Sequence, residues 1–268
     1  MEGRRTASLL LTLSLVGPGI SGSPSAGDDA ASPREAGPVV LELFTSQGCS
    51  SCLPADRVLS RLGLDEATRT KVVPLAFHVD YWNGGGWTDP FSSREWSLRQ
   101  EAYGRALKVA APYTPQLVVG GRTELNGSNE ARIRAEIAAA LERPSAARIR
   151  LGAQKVEANG ALAVEITVDV GDSVPPHKLK AMVALFENGV ATAVARGENQ
   201  GHTLQNDFIV RRLESAFTVE PKPGAHKQQA LSMKLDRTWK GENMGVAAFL
   251  QDPDSMRIYG AAIVSPLH

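Results

Sequence analysis

The sequence predicts an α/β unit followed by an all-β antiparallel sandwich domain. Between residues 39 and 142, short apolar runs alternate with helix-patterned segments in the order β-α-β-α-β-β-α. Strands alternating with helices imply a central sheet with parallel pairs, and the β-β step adds an antiparallel hairpin. From Arg148 onward the pattern is strands and turns with no convincing helix, as expected of a sandwich. The change falls between Pro144 and Ala147 and divides the chain into 39–145 and 146–268.

Each element has its own signal. Residues 39–44 and 72–77 are nearly continuous apolar runs, as in strands buried on both faces. The segment 50–62 presents Leu59 and Leu62 on one helical face and places Asp56 and Arg57 outside. Asp89-Pro90 reads as a helix start, an N-cap followed by proline. Leu98, Ala102, Ala106 and Val109 then recur on one face. Gly120-Gly121 between 117–119 and 123–125 is a hairpin turn. Ser128 is placed to cap a last helix marked by Ile133, Ile137 and Leu141. Strand patterns follow at 161–170, 179–186, 190–195, 208–213, 231–235, 246–250 and 258–264, with Asn188-Gly189 as a hairpin turn.

Composition narrows the function. The chain has 268 residues with 29 basic and 29 acidic side chains, so bulk electrostatics offers nothing to a nucleic acid. No apolar stretch is long enough for an integral membrane span. Residues 1–26 carry Arg4-Arg5, an apolar run and a small-residue exit, the parts of a secretory signal peptide; 27–38 reads as a flexible leader. The protein is therefore expected to be exported, periplasmic or secreted.

The chain has two cysteines, which excludes a disulfide-stapled scaffold and a four-cysteine zinc module. They form Cys49-Ser50-Ser51-Cys52 at the exit of a buried strand and the opening of a helix. A helix amino terminus stabilises a thiolate, so Cys49 suits the nucleophile of disulfide exchange and Cys52, one turn on, the resolving thiol. A structural disulfide or two core thiols remain the plainer alternative. Thr114-Pro115 stands just before the third strand.

The strand order, the Cys49/Cys52 position and the Thr114-Pro115 position together resemble the thioredoxin superfamily across residues 39–142. Longer motifs narrow this. Residues 43–52, His78-Val79-Asp80-Tyr81-Trp82, residues 86–91, Tyr113-Thr114-Pro115-Gln116 and Gly197-Glu198-Asn199 look like an uncharacterised family of secreted bacterial thioredoxin-like proteins. Departures are Leu53, where proline is more usual, and Asn83, where aspartate is expected. The resemblance implies a thioredoxin-like domain with an aromatic-rich insertion. It implies also that Pro115 is cis, faces the cysteines and, with Thr114, holds a substrate strand. Glu42 would take the place of a buried acid serving Cys52, although an ungapped count puts Leu43 there; a surface strand position is the simpler reading of Glu42.

Residues 78–103 hold six of the chain's fifteen aromatics. Trp82 and Trp87 are expected to line a cleft beside Cys49, with His78 or Asp80, at a strand's carboxyl end, as proton partners. A packing role for the aromatics and for His78 is the bland alternative. Two thiolates with His78 would suit copper(I) or zinc, but such chaperones generally space their cysteines by three residues, and no metal site or cofactor is expected. The reading is an exported thiol–disulfide oxidoreductase acting on protein or small-molecule thiols. The alternatives are a non-enzymatic binding protein with a structural disulfide and a metal chaperone.

Overall fold

The first strand, β1 (Val39–Thr45), has no exposed residue and pairs on both edges. In the computed structural model, which describes residues 36–156 and 161–265, it lies parallel to β2 (Val72–His78) and antiparallel to β3 (Gln116–Val119). The segment assigned to a signal peptide, 1–26, and most of the 27–38 leader lie outside the described residues. β3 turns through Gly120 and Gly121, at φ +58° and +66°, into β4 (Thr123–Asn126). Those positive angles are ones that glycine adopts without strain, and Gly120, Gly121 and Arg122 make a three-residue connection between Val119 and Thr123. Helix α1 (Leu53–Leu64) buries Ala55, Val58, Leu59 and Leu62, and also Asp56, which sequence patterning places outside.

Helix α2 (Arg94–Leu107) begins five residues after Asp89. Ser93 caps it by accepting from the Glu95 amide at 3.2 Å. Asp89 instead turns the chain ahead of the helix, accepting from the Phe91 amide at 2.9 Å. The face expected from Leu98, Ala102, Ala106 and Val109 is not the inward one: Trp96, Gln100 and Tyr103 are buried and Leu98 is exposed. Helix α3 (Glu130–Leu141) is capped by Asn129 rather than Ser128. Arg61 of α1 pairs with Glu130 of α3 at 2.5 Å, so these two share one face of the sheet. β1 alternates, Leu43 facing α1 and Glu42 facing α2.

The remaining strands are β5 (Ala147–Val156), β6 (Ala161–Val170), β7 (Leu179–Glu187), β8 (Val190–Ala193), β9 (Thr203–Asn206), β10 (Ile209–Val219), β11 (His226–Lys234), β12 (Met244–Gln251) and β13 (Ile258–Val264). Their pairing overturns the expected fold class. Among the described residues there is one mixed eight-stranded sheet, ordered β13-β12-β7-β10-β2-β1-β3-β4, and not a thioredoxin-like domain followed by an antiparallel sandwich. β10 joins β2 in parallel at Ile209–Ala76, and the Ala76 amide donates to Phe208 O at 2.8 Å. The physical reason lies in β2 itself. All seven of its residues are buried, so an unpartnered second edge would leave backbone polar groups dry in the core. Strands from the later half of the chain close that edge.

β5, β6 and β11 form a separate sheet, and β8 and β9 a two-stranded ribbon. The period-2 alternation of β7 and β12 sorts their side chains into two cores. Ala184, Phe186, Ala247 and Phe249 join Phe44 and Phe77 on the α2 side. Val183, Leu185, Val246 and Leu250 pack with Val164, Ile166 and Val168 of β6.

Glu42, buried at the centre of β1, is the polar seam of the first core. Arg99 Nε donates to it at 2.6 Å and the Tyr103 hydroxyl donates to its other oxygen. Arg99 also reaches Gln251 of β12 at 3.0 Å, and Gln251 donates to the Tyr103 hydroxyl at 2.9 Å. The Arg99→Ala variant leaves a buried carboxylate without its cation. Its denaturant midpoint should fall by the equivalent of about 3–5 kcal/mol at unchanged slope. A loss below about 1 kcal/mol would mean that Glu42 is not held as an ion.

Candidate functional site

Cys49 stands in extended conformation, φ −104° and ψ 112°, at the start of a single 3-10 turn, Ser50–Cys52, that runs straight into α1. Its sulfur is bonded to that of Cys52, with the Cα atoms 5.4 Å apart. Both cysteines are fully buried, while Ser50 and Ser51 are exposed. The hydroxyl of Ser51 lies 3.2 Å from Cys49 Sγ, and Thr114 Oγ1 donates to the same sulfur at 3.3 Å. No hydrogen bond reaches Cys52 Sγ among the described residues. The two sulfurs therefore differ: among the described residues, hydroxyls lie against Cys49 Sγ and none against Cys52 Sγ.

Thr114 is itself held. The Trp82 indole donates to its hydroxyl at 2.8 Å, giving the line Trp82–Thr114–Cys49. Gln100 of α2 donates to the Tyr113 carbonyl at 2.8 Å and to Gln116 Oε1 at 3.0 Å, fixing the loop on both sides. The Thr114–Pro115 peptide is cis. Trp82 thus touches the site directly, and Trp87 touches it through Gln47, its indole donating to Gln47 Oε1 at 3.3 Å.

Gln47, two residues before Cys49, is where the site is anchored. Its amide donates to Asp89 Oδ2 at 2.7 Å and its carbonyl accepts from Asn199 Nδ2 at 2.9 Å. Its side-chain amide donates to Asn206 Oδ1 at 2.9 Å. The same Asp89 oxygen lies 2.7 Å from His78 Nδ1, in a pair with no solvent exposure. Burial pulls the His78 imidazole down, but Asp89 and then Asp56 outweigh it and hold the ring above its ordinary value. Burial likewise pushes Asp89 up, and His78 and two backbone amides bring it below its usual range. His78 Nε2 has no hydrogen-bond partner among the described residues.

Asp56 completes the buried set. It lies four residues beyond Cys52, on the same helical face, and accepts from Thr45 Oγ1 at 2.8 Å. Burial raises its pKa to about 6, against the opposing pull of His78 and Thr45. Sequence patterning missed it; the spacing from Cys52 is the signal that finds it.

The other candidates are elsewhere. Glu42 is committed to Arg99 and Tyr103 on the α2 face, away from α1. Asp80 is tied to the Ser97 hydroxyl at 2.5 Å, in the bridge between the aromatic segment and α2. Two acids outside the candidates do reach the loop: Asp89, and Glu198, whose carboxylate accepts from the Ser50 amide at 3.0 Å and the Ser50 hydroxyl at 2.8 Å. Among the described residues, the cluster with ligand atoms close enough to share a cation is His177, Asp252 and Asp254, which includes neither cysteine nor His78.

A family model described as a protein of unknown function (DUF1223) matches residues 40–251. An X-ray structure of an Agrobacterium tumefaciens protein is similar at 28% identity and TM-score 0.66, over 86% of this chain and 95% of that one. HBP35 of Porphyromonas gingivalis shares the fold at 17% identity and TM-score 0.67, over 87% of this chain and 76% of its own. No curated protein matches.

Asp56 makes stability depend on pH. Its folded pKa is raised, so its contribution is complete below the unfolded value near 3.8 and is lost as pH rises through about 6. Asp89 and His78 titrate outside that window, the one below it and the other above 6.5. Between pH 4 and pH 6.5 the wild type should lose about 2 kcal/mol of unfolding free energy relative to Asp56→Asn. Parallel curves for the two proteins, measured by denaturant titration, would place the Asp56 carboxylate in water.

Proposed function

The chain belongs to the DUF1223 family, whose function is unknown. From the chemistry of the site, we propose that Cys49 and Cys52 are a thiol–disulfide exchange pair acting on protein or small-molecule thiols. The observation that carries this is the asymmetry of the two sulfurs. Hydroxyls of Thr114 and Ser51 stand against Cys49 Sγ just ahead of α1, where they would hold a thiolate.

The exchange runs in two displacements. A substrate thiolate attacks Cys49 Sγ, the Cys49–Cys52 bond breaks, and Cys52 leaves as a thiolate that takes up a proton. A second substrate thiolate then attacks the substrate sulfur of the mixed disulfide and releases Cys49. Two substrate thiols become one disulfide and the protein holds two thiols. Another disulfide reoxidises them by the same steps reversed. Asp56, buried one turn beyond Cys52 with its pKa raised to about 6, is the group that this reading assigns to exchange the proton at Cys52. Thr114 and Pro115, with Trp82 and Trp87, border the approach to Cys49 and are the substrate-binding surface in this reading. His78 acts through Asp89 on the Gln47 amide and is a positioning residue. A disulfide-forming pair suits an oxidising compartment, and export to the periplasm or the medium is part of the proposal.

A specific observation favours a second reading. Both cysteines are fully buried, as in a structural bond. The two readings separate cleanly. If exchange is correct, a dithiol buffer reduces the native protein at a potential above about −300 mV. Cys52→Ser should then accumulate a mixed disulfide on Cys49, and Thr114→Val should raise the Cys49 thiol pKa by about 1, read from thiolate absorbance. A bond that stays oxidised far below that potential and never turns over a disulfide substrate is structural.

A further inference from the structure

The turn that carries Glu198 comes from the far half of the chain and is built onto the loop before Cys49. Gly197 has φ +81°, and a Cβ there would sit 3.1 Å from Trp87 Cβ and 3.2 Å from the Gly85 carbonyl, so glycine is required. Asn199 is buried and donates to the Gln47 carbonyl at 2.9 Å. The turn closes on itself through Gln200 N to Gly197 O at 3.1 Å and His202 N to Asn199 O at 3.2 Å. Glu198 stands between two fixed residues, with its side chain in solvent. One oxygen accepts both the amide and the hydroxyl of Ser50, the residue next to Cys49. Those two bonds keep its carboxyl below the usual range, and no ion pair with a lysine or arginine engages it among the described residues.

We propose that Glu198 is the specificity-determining residue of the Cys49–Cys52 pair. It sets a fixed, unpaired negative charge at the mouth of the site, which admits partners whose reactive sulfur has neutral or cationic neighbours and disfavours anionic ones. The inference rests on the exchange reading and names its substrate class. The charge sits on an ordered carboxylate one residue from the sulfur under attack. It therefore acts on whatever group flanks the incoming sulfur, and salt screens it. Every attacking thiolate brings the same charge on its own sulfur, so differences between thiols report the flanking group.

The test uses the oxidised full-length protein and three thiols: cysteamine, mercaptoethanol and mercaptoethanesulfonate. Each thiolate attacks Cys49 Sγ, breaks the Cys49–Cys52 bond and leaves a mixed disulfide with a Cys52 thiolate. Rates are divided by the fraction of each reagent ionised. In the wild type, cysteamine should outrun mercaptoethanesulfonate by about tenfold or more at low ionic strength, with the gap shrinking in salt. Glu198→Gln should bring the ratio close to that of a small unstructured disulfide, and Glu198→Lys should invert it. The ratio cancels any change in how easily the site opens. Equal ratios in wild type and Glu198→Gln overturn the proposal while leaving exchange intact, provided the bond is reduced. A wild-type bond that resists all three thiols overturns exchange and this inference with it.

Discussion

Gln47 has four hydrogen-bonding groups and all four are taken. Asp89 holds its amide, Asn199 its carbonyl, Asn206 its side-chain nitrogen and Trp87 its side-chain oxygen. A buried amide residue satisfied in this way has one orientation, since losing any partner strands a polar group out of reach of water. That fixes the main chain two residues upstream of Cys49 and with it the direction in which α1 starts. The partners come from two distant stretches, 87–89 and 199–206. The cysteine pair is therefore only as well placed as the docking of the chain's second half.

The same economy of buried polar groups explains which parts of the molecule were legible beforehand. The cis Thr114–Pro115 bond, implied by the family resemblance, is present. Local signals also held: the paired cysteines at a helix mouth, the turn at Gly120-Gly121 and the buried character of β1 and β2. These depend on residues close in the chain. What could not be read was pairing over long separations. Nothing in Val72–His78 says that its open edge will take Ile209, so a continuous sheet looked like two architectures.

Inward-facing polar residues misled for a related reason. Asp56 breaks an apolar face and reads as exposed, yet Thr45 and His78 wait for it inside. The polar side of α2 turns inward because Glu42 is there to meet Arg99 and Tyr103. In each case the partner lies on another element, where periodicity has no view. Glu198 is the extreme instance: its motif is conspicuous in the sequence, but its meaning depends on Ser50, 148 positions away.

The order of strands in the large sheet has a consequence in time. A ribosome or a translocation pore delivers β1 to β4 first, and the cysteines lie between β1 and β2. Their neighbours β10, β7, β12 and β13 arrive last, the final one ending at Val264. At ordinary synthesis rates the flank of β2 stays open for on the order of ten seconds. During that interval the apolar edge is bare, Gln47 lacks Asn199 and Asn206, and the thiols stand uncovered. The nascent chain is the form in which Cys49 and Cys52 are most open to an oxidant, and also the form most in need of a holding chaperone.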